Sequence, residues 1–132
     1  MMKKAILCVD DEPIVLNSLR TQLKRNFGDN YTYEIAENAD DAWEVIEELV
    51  EEGVEILLIV SDWLMPGVKG DEFLIRVHRH HPAIITFMLT GQADETAVEN
   101  ARRNAALRAC FHKPWQENEL IATIRLALEP KE

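Results

Sequence analysis

Five short apolar runs recur along the chain, with helical periodicity in the intervals between them. Residues 5–9, 56–60, 83–89 and 108–112 are nearly continuous in apolar side chains and read as strands covered on both faces. Residues 31–36 alternate instead, with Tyr33 and Ile35 on one side, which is the pattern of a half-exposed strand. Pro13 opens the first helix at a position where a missing N–H costs nothing. Leu16, Leu19, Leu23 and Phe27 form its stripe, and Gly28 stops it. Asn38 or Asp40 caps a second helix, with Ala39, Ala42, Trp43, Ile46, Leu49 and Val50 on its apolar face and Gly53 at its end. Phe73, Leu74 and Val77 define a short third helix, closed by His81-Pro82. Ala97, Val98 and Ala101 turn inward on a weak, alanine-rich helix over residues 95–105. Leu120, Ile121, Ile124 and Leu128 stripe the last one.

Strands and helices alternate strictly, which predicts an α/β fold: a doubly wound parallel sheet of five strands with helices on both faces and right-handed crossovers. A half-exposed second strand belongs at an edge, which selects the flavodoxin-like order 2-1-3-4-5. No repeat, linker or low-complexity stretch interrupts residues 1–132, so they are expected to form a single domain.

Four of the strands end in polar residues. The first runs into Asp10-Asp11, the third into Ser61-Asp62, the fourth into Thr90-Gly91 and the fifth into Lys113-Pro114. In a parallel sheet these ends share one edge, the edge at which open α/β sheets bind ligands. Met65-Pro66-Gly67 forces the turn that exposes Asp62.

Composition narrows the function. With 14 Lys and Arg against 24 Asp and Glu, the net charge is −10, which argues against a broad nucleic-acid footprint. Only five apolar residues separate Lys4 from Asp10, too few for a secretory signal, and no run approaches the length of a membrane span. Cys8 and Cys110 lie inside strand runs without zinc-like spacing, as expected of buried, reduced thiols in a cytoplasmic protein.

The groups at the shared edge suit phosphoryl transfer. Asp10, Asp11 and Asp62 supply oxygen ligands for Mg²⁺, and their mutual repulsion raises at least one pKa. Asp62 stands alone on the central strand and is the better nucleophile. Lys113 can hold a phosphoryl oxygen as a point charge, and Thr90 can donate a hydroxyl to another.

Val9-Asp10-Asp11-Glu12-Pro13, Ser61-Asp62-Trp63-Leu64-Met65-Pro66-Gly67, Leu89-Thr90-Gly91 and Lys113-Pro114 together resemble the receiver domains of two-component response regulators, over nearly the whole chain. The resemblance implies that Asp62 is the phosphoacceptor. Asp11 would ligate Mg²⁺ directly, Asp10 directly or through water, and the Leu64 backbone carbonyl would complete the protein ligands. Thr90 and Lys113 would bind the phosphoryl group. The donor would be a phosphohistidine on a sensor histidine kinase or a histidine phosphotransfer protein. The output would be a downstream domain or protein, reached through the face made by helix 4, strand 5 and helix 5, which can also form a homodimer. No membrane and no direct nucleic-acid contact are implied.

One feature departs from the family. The position three residues before the lysine, aromatic in the family's switch, holds Cys110, and strand alternation points Phe111 the other way. Leu64 and Gln92 occupy the two positions that tune loss of the phosphoryl group. Leu64 cannot orient a water, which favours slow decay, whereas Gln92 is polar and can, so the two positions pull the lifetime in opposite directions. A Mg²⁺-dependent phosphohydrolase of the haloacid-dehalogenase type is the rival reading, but it needs an aspartate two residues after the nucleophile, where this chain has Leu64.

Other residues have bland readings. His78, His80 and His81 fall at the end of helix 3, where the dipole favours cations over any metal role. Trp43 reads as core, Trp63 as a partly exposed wall beside Asp62, and Trp115 as an anchor for helix 5. Arg102, Arg103 and Arg108 are either solvated helix ends or a partner surface.

Overall fold

Strands that are apolar on both sides need helices above and below, and that cover is what the chain builds. A computed structural model describes residues 3–91 and 95–129. The strands are β1 (Lys4–Val9), β2 (Thr32–Ala36), β3 (Glu55–Asp62), β4 (Ile85–Thr90) and β5 (Ala109–His112). They are all parallel, in the order β2-β1-β3-β4-β5. The helices are α1 (Pro13–Phe27), α2 (Ala39–Glu51), α3 (Gly70–His80), α4 (Glu95–Asn104) and α5 (Glu117–Leu128). The expected doubly wound sheet and its order are therefore observed. Among the described residues no helix is long and apolar enough to cross a membrane.

Two apolar layers hold the sheet. α1 and α5 pack Leu16, Leu19, Leu23, Leu120 and Ile124 against Ile6, Cys8, Leu58, Val60 and Phe87. On the opposite face, α2, α3 and α4 pack Ile46, Phe73, Leu74 and Ala101 against Leu7, Val9, Ile59 and Met88. Strict alternation along β3 would send Ile56 to the same face as Leu58. A bulge prevents this: Ala5 faces Ile56 but Ile6 faces Leu58, so Leu57 is an extra residue and Ile56 rotates onto the α2–α4 face with Ile59. Arg25 of α1 pairs with Glu117 of α5, joining the helices of one layer at the surface.

Several boundaries and burials differ from expectation. Asn38, not Asp40, caps α2, its side chain accepting from the Asp41 N–H at 2.8 Å. β4 starts at Ile85 rather than Ala83, because the Ile84 N–H donates to the His81 carbonyl and turns the chain after the helix. A 3-10 turn over Gly28–Asn30 follows α1, and β2 begins only at Thr32. Val50 is 50% exposed rather than buried, since Leu49 takes the inward position at the end of α2. Cys110 is only half-buried, because β5 is an edge strand, and Leu128 is half-buried at the end of α5.

Gly70 places the start of α3 against the end of β3. Its N–H donates to the Trp63 carbonyl at 2.8 Å. A Cβ at this position would lie 2.1 Å from the Asp62 carbonyl oxygen, which is backbone and has little room to yield. Gly70→Ala is therefore expected to destabilise the fold by about 2 kcal/mol or more, measured by urea unfolding. Gly91→Ala, where a Cβ meets nothing within 4 Å, should be far milder.

Candidate functional site

The sheet's hydrogen-bond ladder continues past the ends of its strands, and this carries polar residues to a common edge. The Asp10 N–H, just beyond β1, donates to the Ala36 carbonyl at 3.1 Å. Asp62 is the last residue of β3, and the next N–H, that of Trp63, donates to the Leu89 carbonyl at 2.8 Å. Lys113 follows β5, its N–H donating to the Thr90 carbonyl at 2.8 Å. Backbone bonding thus fixes Asp10, Asp62, Thr90 and Lys113 before their side chains make any contact.

The side chains then converge. One carboxylate oxygen from each of Asp10, Asp11 and Asp62 lies within 4.8 Å of the others. The Lys113 ammonium sits 2.7 Å from Asp10 Oδ2 and 3.2 Å from Asp62 Oδ1. Glu12 Oε1 is 3.6 Å from the same ammonium. Asp10 Oδ1 accepts from the Glu12 N–H at 2.9 Å. The Ser61 hydroxyl donates to the Asp62 carbonyl at 3.0 Å. Asp10, Asp62 and Thr90 are buried, whereas Asp11 is exposed at the mouth of the cleft. Leu64, 60% exposed, lines the cleft beside Asp62 and Lys113.

Burial and crowding set the protonation of this cluster. Burial and the neighbouring Asp10 push Asp62 up to about 6, and Lys113 only partly opposes them. Burial also raises Asp10, against its hydrogen bonds from Lys113 and Glu12. For Lys113, burial disfavours the charged form, but Asp10 and Asp62 outweigh it and its pKa stands above the ordinary value. Three hard oxygen donors whose repulsion Lys113 only partly relieves are a chemical fit for a small divalent cation. Among the described residues no other group of three or more His, Cys, Asp or Glu side chains is close enough to hold a metal.

The remaining sequence-flagged residues lie elsewhere. His80 and His81 pack against the Trp43 ring, at 5.4 and 6.1 Å between centroids, and Arg76 stacks on it at 4.5 Å. Trp43 is thus a partly buried surface contact between α2 and α3 rather than full core. Trp63 is half-buried beside Asp62, with the Lys69 ammonium 5.6 Å from its ring. The Trp115 indole N–H donates to Gln22 on α1 at 2.8 Å, so this residue ties the start of α5 to α1. Arg102, Arg103 and Arg108 are exposed, and Arg103 pairs with Glu99. Cys110 packs toward the α2–α4 layer and Phe111 toward the α1–α5 layer, where it meets Phe87 at 6.0 Å. Burial raises both thiols, Cys8 to about 12, so they stay protonated. Gln92 lies outside the described residues. Sequence reasoning missed the reach of Glu12 to Lys113, which could have been suspected from three consecutive acids.

A sequence model of the response regulator receiver domain matches residues 6–125. The hydrogenase transcriptional regulatory protein HoxA of Cupriavidus necator is 30% identical over 124 residues, covering 94% of this chain and 24% of the relative. The chain therefore spans about a quarter of that regulator's length. Among solved structures, the signal receiver domain of an HD domain-containing protein from Pseudomonas fluorescens superposes with a TM-score of 0.85 at 27% identity, covering 96% of this chain and 94% of that one. A CheY-like response regulator receiver domain protein from Methanospirillum hungatei gives 0.80 at 28% identity, covering 96% and 93%.

The raised Asp62 pKa has a signed consequence. Its ordinary value is 3.8 and its folded value about 6, so between these the folded chain holds a proton that the unfolded chain has lost. The stability this group contributes is complete below about pH 4 and is lost as pH rises through about 6. Asp62→Asn is expected to remove that loss and to be more stable than wild type at pH 7, by on the order of 2 kcal/mol. Denaturant unfolding of both chains from pH 4 to 8 measures it. Parallel pH profiles would refute the assignment.

Proposed function

Because the chain belongs to the response regulator receiver domain family, we propose that it acts as a phosphorylation-dependent switch in a two-component relay, with Asp62 as the phosphoacceptor. The observation that carries the assignment is the position of Asp62, between two other carboxylates and a mostly buried ammonium. Asp62 Oδ attacks the phosphorus of a phosphohistidine on a sensor histidine kinase or a histidine phosphotransfer protein. A P–O bond forms as the P–N bond breaks, and the electron pair of the broken bond stays on the histidine. Lys113 already stands 3.2 Å from the attacking carboxylate and can exchange that contact for a phosphoryl oxygen. Thr90, buried at the end of the neighbouring strand, donates its hydroxyl to a second oxygen.

Asp10, Asp11, Asp62 and the Leu64 carbonyl would hold Mg²⁺. Bound there, it neutralises charge on the transferring group and relieves repulsion among the three acids.

The chain is a switch rather than a turnover enzyme. Two residues beyond Asp62, where an aspartyl-phosphate phosphohydrolase places its acid–base aspartate, the side chain is that of Leu64. It lines the cleft without a group to move a proton or orient a water. The phosphoryl group is therefore held and lost slowly. The signal leaves through α4, β5 and α5, as a change in a downstream output domain or protein or through a homodimer on that face. Cys110 on β5 takes the aromatic switch position, so the threonine part of the switch carries the change. The net charge of −10 supports protein partners over nucleic acid, and the two protonated thiols fit a cytoplasmic setting.

With acetyl phosphate and Mg²⁺, intact-mass spectrometry is expected to find a single phosphoryl adduct on wild type and none on Asp62→Asn. Removing Mg²⁺ with a chelator should abolish the adduct. An adduct that persists in Asp62→Asn would overturn the assignment. Leu64→Asn should shorten the adduct's half-life several-fold, read by the same spectra over time, since it places a polar group where a water can be held.

A further inference from the structure

Besides Asp10 and Asp62, one more carboxylate is buried among the described residues. Asp71, 8% exposed, stands in the first turn of α3. Its Oδ2 accepts from Asn100 Nδ2 of α4 at 3.0 Å. Its Oδ1 is buried and has no hydrogen-bond partner. Asn100 Oδ1 in turn accepts from Asn104 Nδ2 at 2.8 Å. A carboxylate buried against a single neutral amide is a costly choice where a leucine would fill the space without desolvation. The start of a helix lowers that cost but does not remove it.

Its neighbours explain what the contact does. Gly70, the preceding residue, is packed on the Asp62 carbonyl and donates its N–H to the Trp63 carbonyl at 2.8 Å. Asp71 therefore stands one residue from a rigid contact with the phosphoacceptor's own backbone. On the other side, α4 fully buries only Ala97 and Ala101, with Val98 half-buried against the same layer. Two methyl groups and one half-buried valine make a small apolar anchor, so one hydrogen bond to a carboxylate is a substantial share of what holds the helix.

We infer that Asp71 is a positioning residue. It fastens α4 to the start of α3 and so links α4 to the backbone at Asp62. The fastening is a property of the unphosphorylated chain. Its role in transmitting a signal rests on Asp62 being the phosphoacceptor.

The test uses the full 132-residue chain as wild type, Asp71→Leu, Asp71→Asn and Asn100→Ala. Hydrogen exchange is followed by mass spectrometry, first without any phosphodonor. Asp71→Leu and Asn100→Ala are expected to speed exchange in α4 about tenfold or more, leaving α5 unchanged. Asp71→Asn keeps an acceptor for Asn100 and should stay near wild type. The inference is overturned by unchanged α4 exchange in both Asp71→Leu and Asn100→Ala. It is also overturned if Asp71→Asn behaves like Asp71→Leu, or if exchange rises uniformly across the chain in both disrupting variants. In the second arm, acetyl phosphate and Mg²⁺ are added. Asp71→Leu should take up as much phosphoryl group as wild type yet lose the phosphorylation-dependent change in α4 exchange. Retention of that change would overturn the transmitting role. Failure of wild type to be phosphorylated would refute the Asp62 assignment instead, and the first arm would still decide the fastening.

Discussion

The Lys113 ammonium, inserted between the buried carboxylates of Asp10 and Asp62, is the interaction on which the working edge of this protein depends. Two acids with little access to water cannot both ionise at such close range without a counter-charge. Lys113 supplies one, but its two partners outnumber it, and Glu12 and Asp11 add further negative charge. The edge is left poised, with Asp62 titrating near 6 and the cluster short of positive charge. A divalent cation or a change at Asp62 acts on a site that is already under electrostatic load, which is the physical basis of a switch.

The sheet makes this arrangement possible. Parallel strands deliver all their carboxyl ends to one edge, and the ladder bonds from Asp10, Trp63 and Lys113 extend that order into the first residues of the loops. Two apolar layers then lock the strands, the one built from α1 and α5 being rich in large side chains. The layer containing α4 is thinner there, since two alanines and a half-buried valine supply the contacts of that helix. Uneven anchoring of this kind separates a rigid platform from an element able to move. Cys110, small and half-buried on the outermost strand, belongs to the same lightly packed region.

Much of the fold could be read from the chain because period-two and period-3.6 patterns are local. The continuous runs at residues 56–60 and 83–89 required cover on both faces, and the alternation at Tyr33 and Ile35 placed β2 at an edge. The polar strand ends were legible for the same reason, since a run that stops in Asp62 or Lys113 declares its edge once the strands are parallel. Illegible were features that depend on a neighbour distant in sequence. The bulge at Leu57 arises from the fit of β3 to β1. The exposure of Val50 and Cys110 depends on which helix or strand lies beside them. Trp43 looked like core because its spacing is right, but it is only half-buried, with Arg76, His80 and His81 against the part of its ring that the apolar layer leaves open.

The order of apolar and polar residues by itself determined the elements, their parallel arrangement and the five side chains gathered at one edge, because each follows from short-range periodicity and the geometry of crossovers. Only the tertiary structure decided which groups carry the strain: that Lys113 bonds Asp10 more closely than Asp62, that Asp10 and Asp62 are both pushed up by burial, and that Asp71 is buried against Asn100. These outcomes depend on distance and desolvation in three dimensions, and both quantities come into existence only when the chain has folded.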